Sequence, residues 1–229
     1  QRAEANFAKA RQAVDEFLNQ VTADELLKVP GLQPLRRELL RSALDFYQGF
    51  AAESSTDSSM QLELARAQLR LSRIHTEVGA AEAAKVTLDK ALLLLEQLHQ
   101  SGSTRPEVIQ ELARAYFARG DNDRALELGR QILAQDPRSV FARQMVADCL
   151  HNSVVRKPSS AAEQLAALRQ ALEIHRQLVD EDPDNPVYRM ELGMSLNNVG
   201  VLLGKQGQDR EALAMFRLAV EHEEHALRR

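Results

Sequence analysis

The sequence predicts an all-α protein built from antiparallel helix pairs packed side by side, with a helical extension at its N-terminal end. Three observations lead there. Ala, Leu, Glu, Gln and Arg dominate the chain, all good helix formers, and no β-branched run is flanked by hairpin turns. Apolar residues recur at spacings of three and four along most of the chain, the period of a helix with one buried face. Gly79, Gly120 and Gly207 each separate two such segments, where a residue that tolerates positive φ ends one helix before the next begins.

The clearest pair runs from Glu107 to Pro137, EVIQELARAYFARGDNDRALELGRQILAQDP. Ile109, Leu112, Ala113 and Tyr116 follow the spacing of W-x2-L-G-x2-Y, Ala125 and Gly129 that of A-x3-F, and Pro137 closes the unit. That is the tetratricopeptide repeat (TPR) signature, with a period of about 34 residues. Its small residues let two antiparallel helices approach closely, and neither helix buries its apolar stripe alone. The fold class is therefore a TPR-type α-solenoid with an N-terminal helical extension.

From the N-terminus, Phe7, Ala10, Val14, Phe17 and Val21 form a heptad-like stripe on a helix over residues 2–20. Thr22 and Glu25 have capping-box spacing, Val29-Pro30-Gly31 is a break, and Pro34 suits the first turn of a helix carrying Leu35, Leu39, Ala43, Phe46 and Phe50. The polar run from Ser54 to Ser59 is the best boundary in the chain, dividing an N-terminal segment, 1–53, from a repeat domain, 54–229. Four units follow, at 60–100, 105–137, 138–183 and 186–229. In the first, Gln68, Leu71, Ser72 and His75 fill the motif places. Thr104 to Glu107 reads as the capping box of the second. The third has Val146, Ala147 and Leu150 in place and an insertion near 154–160, with Ser160 and Glu163 as a second capping box. The fourth has a long first helix from Pro186, with Leu196, Val199, Gly200 and Leu203 at the motif places and Ala212, Phe216 and Ala219 on its partner.

The net charge of −4, with both signs interspersed, argues against nucleic acid as the main partner and gives no polybasic membrane patch. No run of 18 apolar residues exists, so nothing inserts directly in a membrane. The single cysteine, Cys149, sits among Val146, Ala147 and Leu150 and reads as a buried apolar thiol.

Two stretches carry a narrower resemblance. RAEANFAKARQAVDEFLNQV and ELLKVPGLQPLRRELLRSALDFYQGF, with Pro30 to Arg36 as their most specific phrase, resemble the segment that follows the kinase domain and membrane-spanning helix of large bacterial serine/threonine protein kinases. Asn185-Pro186-Val187-Tyr188 and Ser195 to Gly200 resemble the repeats at the C-terminal end of the same proteins. The resemblance implies a non-catalytic interaction or sensor arm of a single-pass membrane parent, in a cytoplasmic or periplasmic compartment. The chain begins inside a helical pattern, as expected of a fragment. It holds no Gly-rich phosphate loop, VAIK, HRD or DFG, so it carries no kinase activity of its own.

No residue set points to catalysis. His222 and His225 are three apart and so share a helix face, with Glu221, Glu223 and Glu224 beside them, but no HExxH or paired CxxC is present. A solvated helix end is the better account, and neither a metal nor a cofactor is expected. His75 and His175 fall at motif places and read as packed between helices.

What remains is a groove. In such stacks the first helix of each pair lines a concave surface, which would present Leu69, Arg73 and Thr76, then Gln110, Arg114 and Phe117, then Gln144, Asp148 and His151, then Asn197, Val201 and Lys205. Phe117 beside Arg114 is the kind of aromatic and arginine pair that anchors a partner, and Arg73 and Arg114 suit a carboxylate. Leu69, Gln110 and Asp148 replace the basic or amide residues of the chaperone-binding carboxylate clamp. The expectation is a scaffold that binds a protein or peptide. The alternative is an oligomerisation module, in which helix 2–20 pairs with its copy to give a homodimer.

Overall fold

The structure, a computed structural model, describes residues 58–228 apart from 78, 103–104 and 157–159. The heptad-like stripe of residues 2–20, the Pro30–Arg36 phrase and the expected boundary near 53 lie outside the described residues. The chain divides into two compact units, Gln1–Ser103 and Thr104–Arg229. All regular structure among the described residues is helical.

The first unit contains a helical hairpin of α1 (Ser58–Glu77) and α2 (Ala81–Gln100). Leu71 and Ile74 of α1 and Leu92 and Leu95 of α2 are almost wholly removed from water. Ser72 occupies the motif's Gly place, and its hydroxyl donates to the carbonyl of Ala84 across the hairpin at 2.8 Å. The bond satisfies a hydroxyl that the close approach would otherwise strand in the core. Gly79 makes the turn at φ 79°, left-handed backbone that a side chain would strain.

The second unit holds three pairs: α3 (Pro106–Arg119) with α4 (Asn122–Gln135), α5 (Val140–Arg156) with α6 (Ala161–Glu181), and α7 (Pro186–Lys205) with α8 (Asp209–Leu227). Each helix packs on the next, and α3 also touches α5. Pro106 opens α3 at its first turn, with Arg105 as N-cap and no side-chain cap bond. The expected capping box begins at Thr104, which lies outside the described residues. The Ser160–Glu163 box does form, with Ser160 Oγ accepting from the Glu163 amide and the Glu163 carboxylate accepting from the Ser160 amide. Asn185 caps α7 by accepting from the Val187 and Tyr188 amides.

Apolar clusters among the described residues join neighbouring pairs of this unit. Val146, Ala147 and Leu150 of α5 meet Ala171 of α6, with Leu126 and Leu133 of α4 against them. Leu168, Leu172 and Val179 of α6 meet Leu192, Leu196, Val199, Leu202 and Leu203 of α7 and Ala212 and Ala219 of α8. Arg143, three residues before Val146, is buried at a place the motif gives to an aromatic. Its guanidinium donates to both carboxylate oxygens of Glu181 at 2.7 Å and to the Arg138 carbonyl at 3.2 Å, so the third pair closes through a two-point ion pair.

Glycine sets the spacing of the fourth pair. A Cβ built on Gly200 would stand 2.8 Å from Cε1 and 3.0 Å from Cδ1 of Phe216, whereas one on Gly204 would meet nothing nearer than the Ala212 Cβ at 3.8 Å. Gly200→Ala is expected to destabilise the chain by roughly 1–2 kcal/mol, the overpacking cost exceeding the helix-propensity gain. Gly204→Ala is expected to stabilise it by up to about 1 kcal/mol. Denaturant melts of the two variants check the opposite signs.

Candidate functional site

Three helices of the second unit bring ionisable and polar side chains together away from the apolar clusters. Gln144, Asp148 and His151 lie on α5 at spacings of four and three, hence on one face. Glu191 and Ser195 are four apart on α7, and His175 comes from α6 between them. Gln144 Nε2 donates to both carboxylate oxygens of Glu191 at 3.2 Å. Ser195 Oγ lies 2.6 Å from His175 Nδ1 and 3.1 Å from His151 Nε2. His175 Nε2 stands 3.9 Å from Glu191 Oε2, beyond hydrogen-bond reach, and has no other partner. The two imidazole centroids are 5.7 Å apart.

An ionised Glu191 decides where the protons sit. A serine hydroxyl donates one hydrogen, so Ser195 donates to one imidazole and accepts from the other. If it donated to His151, His175 would carry its hydrogen on Nδ1 and turn a bare Nε2 lone pair towards the Glu191 carboxylate. The opposite order has no such repulsion: His151 Nε2–H donates to Ser195, Ser195 O–H donates to His175 Nδ1, and His175 Nε2–H faces Glu191.

Burial dominates the electrostatics. It pushes the His175 imidazole down to about 4, with help from neighbouring His151, and it lowers His151 as well. Both rings are therefore neutral at pH 7. Asp148 is pushed up to about 6 by burial and then by the negative charge of Glu191. Burial also raises Glu191, against the Gln144 amide that favours its ionised form. Two half-buried carboxylates thus stand close to each other and to two uncharged imidazoles.

This arrangement does not make a nucleophile. Ser195 is fully buried and its oxygen is shared by two rings. Cys149 is also fully buried, and its thiol is pushed up to about 12, chiefly by burial, so it is not a thiolate at neutral pH. Among the described residues no group of three His, Cys, Asp or Glu is placed to hold a metal ion. His222, singled out with His225, instead has its Nδ1 3.3 Å from a guanidinium nitrogen of Arg189.

Of the groove residues expected from the motif, Gln144, Asp148 and His151 enter this cluster. Arg114 is exposed on α3, with its guanidinium carbon 4.7 Å from the ring centre of Phe141 on α5. Phe141, not Phe117, is thus the aromatic that pairs with it; Phe117 and Gln110 are half-buried. Asn197, Val201 and Lys205 are exposed on α7. Arg73 is exposed on α1, in the first unit. Sequence reasoning missed Glu191, Ser195 and the part His175 plays. The motif register counts from Leu196, but α7 begins ten residues earlier at Pro186, and those extra turns deliver Glu191 and Ser195 beside α5. The spacing of four between them, on a helix longer than the repeat requires, was the available signal.

Two family models, each described as a tetratricopeptide repeat, match residues 87–149 and 192–221. No curated protein matches the chain. Among solved structures it is similar to BtubC (BKLC) from P. vanneervenii, at 21% identity over 96% of this chain and 84% of that one, with a TM-score of 0.55. It also resembles MamA MSR-1, at 17% identity over 84% of this chain and 99% of that one, TM-score 0.47. A thermophilic TPR protein in Thermus thermophilus matches at 21% identity over 69% of this chain and 91% of that one, TM-score 0.44. The fold is a TPR-type α-solenoid. The repeat models over residues 87–149 and 192–221 and the succession of antiparallel helix pairs carry that conclusion.

The cluster predicts an unusual pH response. Between about pH 4 and 6, Asp148 keeps its proton in the folded chain and loses it in the unfolded one, so its contribution to stability falls as pH rises. His175 stays neutral when folded but protonates when unfolded below its ordinary value of 6.5, so its contribution falls as pH drops towards 4. The two oppose each other across one window, within which Glu191 acts with Asp148 and His151 with His175. Asp148→Asn is expected to raise stability at pH 7 by on the order of 1 kcal/mol, after allowing for partial exposure. It should also steepen the loss of stability on acidification below pH 6.5. Urea melts from pH 4 to 7.5 check both, and a slope equal to that of the unaltered chain would refute the assignment.

Proposed function

We propose that this chain is a non-catalytic protein-interaction scaffold that takes a protein or peptide segment along the face of α3, α5 and α7. The observation that supports it best is that the first helices of successive pairs share polar side chains on that face rather than closing it with apolar ones. Arg114 of α3 stacks on Phe141 of α5, and Gln144 and His151 of α5 reach Glu191 and Ser195 of α7. Half-buried carboxylates with displaced titrations weaken the fold, and such groups concentrate where proteins bind or react. Here nothing supplies a reacting group. The remaining expected groove residues of this unit, Asn197 and Lys205 on α7 and Gln110 and Phe117 on α3, would extend the same contact surface.

The narrower reading is that the scaffold is the interaction or regulatory arm of a bacterial serine/threonine protein kinase. Its support is the resemblance of residues 2–50 and of the Asn185–Tyr188 phrase to the C-terminal regions of such kinases. Reading the open frame upstream of Gln1 tests it: a Gly-rich loop, an HRD–DFG pair and an apolar run of about 20 residues are expected, and a different catalytic domain would remove the kinase connection.

Peptides selected on this chain from a random displayed library are expected to lose at least about tenfold in affinity to Arg114→Glu and to Gln144→Ala, the scale of an interface anchor. Thermal midpoints should stay near that of the unaltered chain. Undiminished binding by both variants would place the contact elsewhere.

A further inference from the structure

We infer that the Asp148–Glu191 cluster is a receptor for a cationic side chain, the guanidinium or ammonium group of an arginine or lysine in a bound peptide. This rests on the scaffold reading above and names the chemistry it selects.

Charge balance is the first argument. Asp148 and Glu191 are both half-buried, and Asp148 stands in the field of Glu191. Among the described residues, no lysine or arginine forms an ion pair with either; Glu191 has only the Gln144 amide and the distant His175 ring, while Asp148 has no hydrogen bond. Elsewhere in the second unit, acidic groups do find cations: Glu181 has Arg143, and Asp121 has Arg119 and Arg124. A half-buried carboxylate pair without a counter-charge is a standing cost, and a cation from outside offsets it.

The second argument is independent and comes from His175. The ring is 2% exposed, and its Nε2 is buried without a hydrogen-bond partner. That nitrogen faces Glu191 from 3.9 Å. An orphaned buried donor is rare in a folded protein. The acceptor it lacks is the ionised Glu191 carboxylate drawn closer, and a cation between Glu191 and Asp148 would hold both acids ionised. One ligand therefore meets two deficits, the missing counter-charge and the missing acceptor. Gln144 directs its amide hydrogens to Glu191, which leaves its amide oxygen to accept from the ligand's N–H groups.

The fold also suits a side chain presented on a strand of peptide. Asp148 comes from α5 and Glu191 from α7, the first helices of adjacent pairs, so the acidic site lies where a segment crossing from pair to pair would pass. Arg114, one helix further along, carries the opposite charge, so the acidic site is confined to the α5–α7 end.

The test uses the full chain with isotope-labelled histidine and follows the His151 and His175 ring signals by NMR. N-acetyl-arginine amide and N-acetyl-lysine amide are titrated in, with N-acetyl-citrulline amide as the neutral control. The basic amides are expected to shift both ring signals saturably, and citrulline is not. Asp148→Asn and Glu191→Gln, which preserve shape while removing charge, are expected to weaken the response by about tenfold or more. No shift up to the solubility limit, an equal shift with citrulline, or an undiminished response in both variants would overturn the proposal. An alanine pentapeptide with a central arginine is expected to bind more tightly than the single amide; equal affinity would assign a free small cation instead of a peptide. The scaffold reading fails separately. Library-selected peptides that lack basic residues yet depend on Arg114 would sustain it while removing the cation site.

Discussion

Close approach between helices is the constraint on which this architecture depends. Two α-helices come together only where one presents little beyond its backbone, and the paired segments put glycine, alanine or serine at those crossings. Gly200 lies under the ring of Phe216, Gly193 against Glu223, and Gly129 against Val146. At each, an added methyl would force a neighbour aside. Once the backbones are near, the leucine and valine rows on either side are drawn from water, and that burial supplies the driving force. Ser72 shows the limit of the substitution: its hydroxyl is tolerated because the Ala84 carbonyl accepts from it across the crossing.

The second unit departs from a purely apolar interior at two places, with opposite electrostatic character. Arg143 brings a buried guanidinium, and the structure answers it with a two-point carboxylate and a carbonyl. Between α5 and α7 the buried groups are acids and neutral imidazoles, and no cation among the described residues answers them. The first place is closed electrostatically and joins the two helices of one pair. The second remains open and spans two pairs.

Much of the fold was legible because its signals are local. Gly79, Gly120 and Gly207 mark turns through backbone freedom, and Ser160 with Glu163 marks a helix start through two short bonds; neither depends on distant neighbours. Pro106 likewise marks the start of α3, because a residue without an N–H suits the first helical position. Arg143 escaped notice because a charge at an aromatic place looks like a lapse in the motif until Glu181, 38 residues away, is seen to meet it. Half of the polar cluster was legible, since Gln144, Asp148 and His151 follow from the register of α5. Glu191 and Ser195 do not, because the length of α7, not its motif, decides what faces α5.

The His151–Ser195–His175 row has one consequence beyond its part in packing. A hydroxyl has a single hydrogen, so the row stands in one of two polarities, and turning any member around requires the other two to turn with it. The charge carried by Glu191 at one end selects between them. His151, at the far end and half-exposed, then offers either a lone pair or an N–H on its inner nitrogen accordingly. Three side chains on three helices are thus coupled through the placement of their hydrogens alone.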